Sequence, residues 1–140
     1  MQDHPTITHA ELTLTAAQAL IAHGQGIASA RGMALSLAVV DRSGHLLAFA
    51  RMDGAALVTI DVAIGKARTA AFLKAPSKLF EDMINGGTPS MATTPGLLPL
   101  QGGMPVLVDG AVAGAVGVSG SSGDGDQAVA AELAGALAAA

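Results

Sequence analysis

Few residues in this chain have the means to do chemistry, and two of them close a strand. In "LAFARMDGA", Leu47 to Ala55, an apolar run ends in Arg51, Met52, Asp53 and Gly54. Arg51 carries a planar guanidinium fork suited to a carboxylate or similar oxygen group. Asp53-Gly54 is turn chemistry, and Asp53 has the plain alternative of bonding backbone amides there. Lys66 is the next cation. Its helical neighbours at three and four residues are Val62, Ala63, Thr69 and Ala70. An ammonium among small apolar groups is partly desolvated, and it either finds an anion or runs its stem out to water. Asp61 and Arg68, seven apart, share a helical face and read as a surface pair. Of the histidines, His4 and His9 fall in a loose N-terminus and His45 at a hairpin turn. His23, among Leu20, Ala22 and Ile27, is the candidate for a buried or ligand-facing imidazole. No two histidines have zinc-site spacing, and no Ser-His-Asp set assembles. "GVSGSSGDGDQA" invites a phosphate-loop reading, but it lacks the Walker lysine, and Asp124 and Asp126 would repel phosphate at a helix N-terminus. They suit N-cap and first-turn positions.

The elements that must position these groups follow from spacing and turn chemistry. "LTLTAAQALIAHGQGIASARG" is apolar at helical spacing, with Thr13 or Thr15 as N-cap and Gly32 as stop. Gly24 and Gly26 weaken that helix by roughly 1 kcal/mol each relative to Ala. "MALSLAVVDRSGHLLAFARM" is two strands about a "DRSG" turn, and alternation sets His45, Leu47, Phe49 and Arg51 on one side of the second. "LVTIDVAIGKARTAAFLKAP" is a helix capped by Thr59 and ended by Ala75-Pro76, and "SKLFEDMI" a short one capped by Ser77. Asn85 to Gly103 has three prolines and little periodicity, the marks of a functional or mobile loop. "PVLVDGAVAGAVGVSG" is a hairpin turning at Asp109-Gly110. Its second strand has Val112, Val116 and Val118 on one face and Ala111, Ala113, Ala115 and Gly117 on the other. Such a small-residue face predicts tight packing, here assigned to the terminal helix "DQAVAAELAGALAAA". Strands that arrive in hairpins with helices between them predict an antiparallel sheet and an α+β fold.

Composition bounds the rest. The chain has 140 residues, 51% of them hydrophobic and 13% charged, with net charge −4. This length fits a single domain spanning 1–140, with 1–11 loose. Seven scattered Lys plus Arg, three Phe and no Trp or Tyr give no basic or stacking surface for nucleic acid. No apolar run is long enough for a membrane span, and the first residues lack the pattern of a signal peptide. Cysteine is absent, which excludes disulfides and permits the cytoplasmic location expected here. So little charge implies apolar surface hidden between subunits, hence a homo-oligomer, a dimer or higher.

Taken in order, "LAVVDRSGHLLAFARMDGA", "IGKARTAAF", "GGMPVLVDGAVAGAVGVSG" and "DQAVAAE" resemble the GlcG/HbpS-like family, related to the C-terminal domain of PduO-type cobalamin adenosyltransferases. The resemblance runs from about Leu12 to the C-terminus. It implies a profilin-like antiparallel sheet of about five strands with helices on both faces, and assembly into oligomers. Some members bind haem and some are described as haem-degrading. The family's motifs fall on Arg51 to Ala55, on Lys66, Ala67, Thr69 and Ala70, on Gly102 to Pro105, and on Gly117 to Gly120.

This resemblance implies a haem or tetrapyrrole-binding protein. Arg51 and Lys66 would hold the propionates, Asp53 and Thr69 would complete the ligand site, and His23 or Met91 would reach the iron. A second reading is a cofactor-free enzyme of isomerase or lyase type acting on a small carboxylated metabolite. There Arg51 would hold the carboxylate, Lys66 or Asp53 would move a proton, and the 85–103 loop would close as a lid. A third is an accessory or scaffolding subunit.

Overall fold

The computed structural model describes residues 4–138. Helix α1 (Leu14–Ala30) starts where Thr13 accepts a hydrogen bond from the Ala16 amide at 3.0 Å, and Gly32 leaves it with φ 67°. Strands β1 (Ser36–Asp41) and β2 (Leu46–Arg51) follow, then α2 (Thr59–Leu73), α3 (Ser77–Asn85) and a 3-10 turn at Pro89–Thr93. Strands β3 (Gly103–Val108) and β4 (Ala111–Ser119) lead to α4 (Gly123–Ala138). The sheet has four antiparallel strands in the order β2-β1-β4-β3, one fewer than the resemblance implies, and the α+β class is as expected. At the β3–β4 turn Asp109 and Gly110 both have positive φ, 51° and 80°, as a two-residue primed turn requires.

The two faces of the sheet differ in residue size, and this sorts the helices. Leu35, Leu37, Val39, Val106, Val116 and Val118 pack against α1 and α4 through Leu20, Ile21, Val129 and Leu133. Ala38, Val40 and Ala115 pack against Ala63, Ala67, Ala70 and Ala71 of α2. The small-residue face of β4 therefore receives α2, not the terminal helix. A stripe of alanines on α2 meets alanine and glycine on the strand, so the two backbones nearly touch. A Cβ on Gly117 would collide with the Ala63 carbonyl, and one on Gly103 with the Lys66 carbonyl. These glycines are what the close approach demands.

A bulge alters the side-chain alternation of β2. Val39 pairs with Ala48 but Val40 pairs with Leu46, leaving Leu47 as the extra residue. Leu47 thus packs toward α1 while Phe49 packs toward α2, so the one-sided set from His45 to Arg51 does not form.

Four further details depart from the sequence pattern. Thr59 and Ser77 open their helices without capping them. The Thr59 hydroxyl pairs with Ser36 Oγ at 2.8 Å, and Ser77 Oγ donates to the Leu100 carbonyl and accepts from the Gly103 amide. Arg68 reaches the Gly44 carbonyl instead of Asp61. The 85–103 segment is pinned at its far end, where the Leu98 amide donates to Thr69 Oγ1 at 2.8 Å. The N-terminal stretch is anchored at its inner end: Leu12 is buried and its amide donates to the Ala113 carbonyl. Residues 1–3 lie outside the described residues.

Candidate ligand site

Lys66 leaves α2 beside Gly102, where a Cβ would lie 2.8 Å from its Nζ. The missing side chain opens a passage at the strand ends, through which the ammonium crosses to the other layer. There it donates to the Val118 carbonyl at 2.9 Å and to Asp126 Oδ2 at 3.0 Å. Asp126 Oδ1 accepts from the Ser121 amide at 2.8 Å, and both side chains are only 4% exposed. Burial of each charge is thus met by an opposite charge and a backbone partner. Lys66 is therefore an internal brace between α2 and the start of α4. Its ammonium is engaged by Asp126 and the Val118 carbonyl and does not line the hollow described below. Asp126 was legible only as a first-turn residue, because nothing in the spacing links it to a lysine sixty positions earlier.

The other sequence candidates do not converge. Thr69 is fully buried, its hydroxyl donating to the Gly65 carbonyl and accepting from the Leu98 amide. Arg51 and Asp53 are exposed at the end of β2 and in the turn after it, and Met91 is exposed on the 3-10 turn. His23 is exposed on α1, beside a hollow of about 190 Å³ made with Leu20, Ala16, Ala19, Ala136 and Leu137. That volume falls below the roughly 300 Å³ at which small-molecule pockets begin.

A larger hollow, of about 500 Å³, lies at the opposite end of the sheet from Lys66. Antiparallel order brings the β1–β2 and β3–β4 turns to the same end, and the hollow forms over them. Leu107, Gly110, Ala111 and Val112 supply an apolar wall, Arg42 comes from the β1–β2 turn, and Lys74 from the end of α2. Thr8, His9 and Ala10 form the remaining side. The Arg42 turn is rigidly held: Asp41 Oδ1 accepts from the Ser43 and His45 amides, each at 2.9 Å, and Gly44 turns with φ 83°. The Arg42 amide itself donates to Glu11 Oε2, tying the N-terminal stretch to this turn. Lys74 sits in the left-handed conformation just past the C-terminus of α2, φ 54°, where a cation is favoured.

None of the lining residues is acidic, and among the described residues neither Arg42 nor Lys74 has an ion-pair partner. The hollow therefore combines an apolar wall, an imidazole and two cations with no ion-pair partner among the described residues. Sequence reasoning placed His9 in a loose terminus. The signal available was that two hairpin turns of an antiparallel sheet share an end, so basic residues at either turn become neighbours.

A four-stranded antiparallel sheet with α2 on its small-residue face, α1 and α4 on its large-residue face, and α3 against α2 and β3 defines the structural class. Within that class, residues 12–134 match the family described as "Haem degrading protein HbpS-like", and the chain belongs to this family. It is 47% identical to Protein GlcG of Escherichia coli (strain K12) over 103 residues, covering 74% of this chain and 77% of that one. Among solved structures, Klebsiella pneumoniae protein ORFY superposes with TM-score 0.92 at 29% identity, over 100% of this chain and 99% of its own. A double mutant of Streptomyces reticuli HbpS superposes with TM-score 0.88 at 35% identity, over 98% and 94% of the two chains.

Proposed function

We propose that this protein binds haem or a closely related tetrapyrrole, and that the ligand occupies the hollow between the two hairpin turns. One observation carries the reading: the hollow of about 500 Å³ joins an apolar wall, a histidine and two cations that have no ion-pair partner among the described residues. Haem is an apolar disc with two carboxylates at one edge, and its iron takes an imidazole as axial ligand. The residues present fit each part. Leu107 and Val112 would lie against the disc, Arg42 and Lys74 would hold the propionates, and His9 would offer its ring nitrogen to the iron. The volume lies within the range of about 300–1,000 Å³ usual for small-molecule sites. The family's description as haem-degrading supports the choice of ligand.

The experiment is a haemin titration of the purified chain followed at the Soret band, with His9→Ala and His23→Ala in parallel. Saturable binding with an altered band in His9→Ala and an unaltered one in His23→Ala is the expected result. An unchanged band in His9→Ala overturns the axial assignment, and absence of any saturable shift in the native chain overturns haem binding.

A further inference from the structure

Glu11 stands outside the hollow, yet it joins two of the groups that line it. We infer, on the ligand reading above, that Glu11 is a positioning residue: it clamps the N-terminal stretch to the β1–β2 turn and so fixes where His9 stands relative to Arg42. Its Oε2 accepts the Arg42 amide at 3.0 Å, and the next residue, Leu12, donates its amide to the Ala113 carbonyl at 3.1 Å. The Leu12 side chain is buried against Gly114, where a Cβ would lie 2.6 Å from Leu12 Cδ1. Asp41 pairs with Gly114 across β1 and β4, so consecutive residues of the stretch are tied to the ends of two neighbouring strands. Among the described residues, the hydrogen bonds that fasten this stretch ahead of the Thr13 cap fall on Glu11 and Leu12. Residues 4–10 are exposed and form no helix or strand.

Two anchors do what one does not: Leu12 fixes a point on the chain, and Glu11 fixes the direction in which the chain leaves it. His9 lies within about 7 Å of Glu11 at full extension but within about 10 Å of Leu12. Without the clamp the volume open to His9 grows about threefold, as the cube of that reach, and the heading of the chain is lost as well. The effective concentration of the tethered imidazole at the ligand falls accordingly. Arg42 does not share this fate, because Asp41 Oδ1 holds its turn through the Ser43 and His45 amides. Loss of Glu11 therefore acts through the imidazole and not through the cations. The clamp needs an acceptor oxygen of the right reach, which makes glutamine the conservative replacement.

The test is a haemin titration followed at the Soret band, with far-UV circular dichroism to verify folding. Glu11→Ala is expected to bind about 3- to 10-fold more weakly than the native chain, with its band moved toward that of His9→Ala. Glu11→Gln is expected to bind within about threefold of native, with the native band. In a His9→Ala background, Glu11→Ala is expected to change affinity by less than about twofold, because the group it positions is gone. In the unliganded ¹⁵N-labelled protein, the heteronuclear NOE of the His9 amide is expected to fall in Glu11→Ala and to hold in Glu11→Gln. Glu11→Ala with native band and affinity, Glu11→Gln as weak as Glu11→Ala, an undiminished loss in the His9→Ala background, or a His9 NOE indifferent to Glu11→Ala overturns the inference and leaves haem binding standing. A native chain with no saturable shift overturns the ligand reading, and this inference with it.

Discussion

Replacing Lys66 by methionine keeps the shape of the side chain and deletes its charge, and the structure sets what this must cost. Asp126 would remain 4% exposed with Oδ2 unpaired, and removing one member of a buried ion pair destabilises by about 3–5 kcal/mol. Two details move that figure in opposite directions. Asp126 keeps the Ser121 amide on Oδ1 and lies in the first turn of α4, where the helix dipole returns roughly 0.3–1 kcal/mol. Against this, the Val118 carbonyl loses a donor, worth about 1 kcal/mol. The net expectation stays near 3–5 kcal/mol, a large share of the roughly 5–15 kcal/mol available to a domain. Urea denaturation should show the midpoint falling with an unchanged m-value, and Tm should fall by roughly 10–15 °C. Lys66→Met/Asp126→Asn removes both charges while keeping an acceptor for Ser121, so it should be more stable than Lys66→Met alone by about 1–3 kcal/mol. A Lys66→Met loss under 1 kcal/mol, or a double variant no better than the single, would refute the brace.

Other substitutions separate the roles of neighbouring residues. Gly117→Ala drives a Cβ into the Ala63 carbonyl, so it should cost at least the roughly 1–3 kcal/mol of an overpacked core, measured as a lowered urea midpoint or loss of soluble protein. Gly26→Ala meets nothing within 4 Å and should stabilise α1 by about 0.5–1 kcal/mol in the same assay. Thr13→Ala removes the α1 cap and should cost about 1 kcal/mol. Arg42→Ala and Lys74→Ala should each weaken haemin binding by roughly 3- to 10-fold, as loss of an exposed charge contact of up to about 1 kcal/mol or slightly more implies, without lowering thermal stability.

Much of the fold was legible because local chemistry and global arrangement agree. The Asp109-Gly110 turn, the "DRSG" turn and the Thr13 cap each occur where their residue types place them. What spacing did not disclose was long-range. The small face of β4 announced a tight neighbour, yet α2 and α4 are both alanine-rich, and only the assembled sheet decides between them. The bulge at Leu47 has no local marker, and it sets Leu47 on the opposite face from Phe49. For the site, the unusual environment of Lys66 was readable from Val62, Ala63 and Ala70, but its anion is a residue of this same chain. The family motifs around Lys66, Gly102, Gly103 and Gly117 are accounted for by one packing arrangement at one end of the sheet. The hollow at the other end draws on turns and termini, where sequence patterns carry least information.

Zinc protoporphyrin titrated into ¹⁵N-labelled protein, followed by amide chemical shifts, locates the ligand directly. Perturbations gathered on residues 8–10, on Arg42 and Lys74, and on 107–112 are the predicted result. Perturbations centred on Arg51 to Val58 or around His23, or none at all, would contradict it.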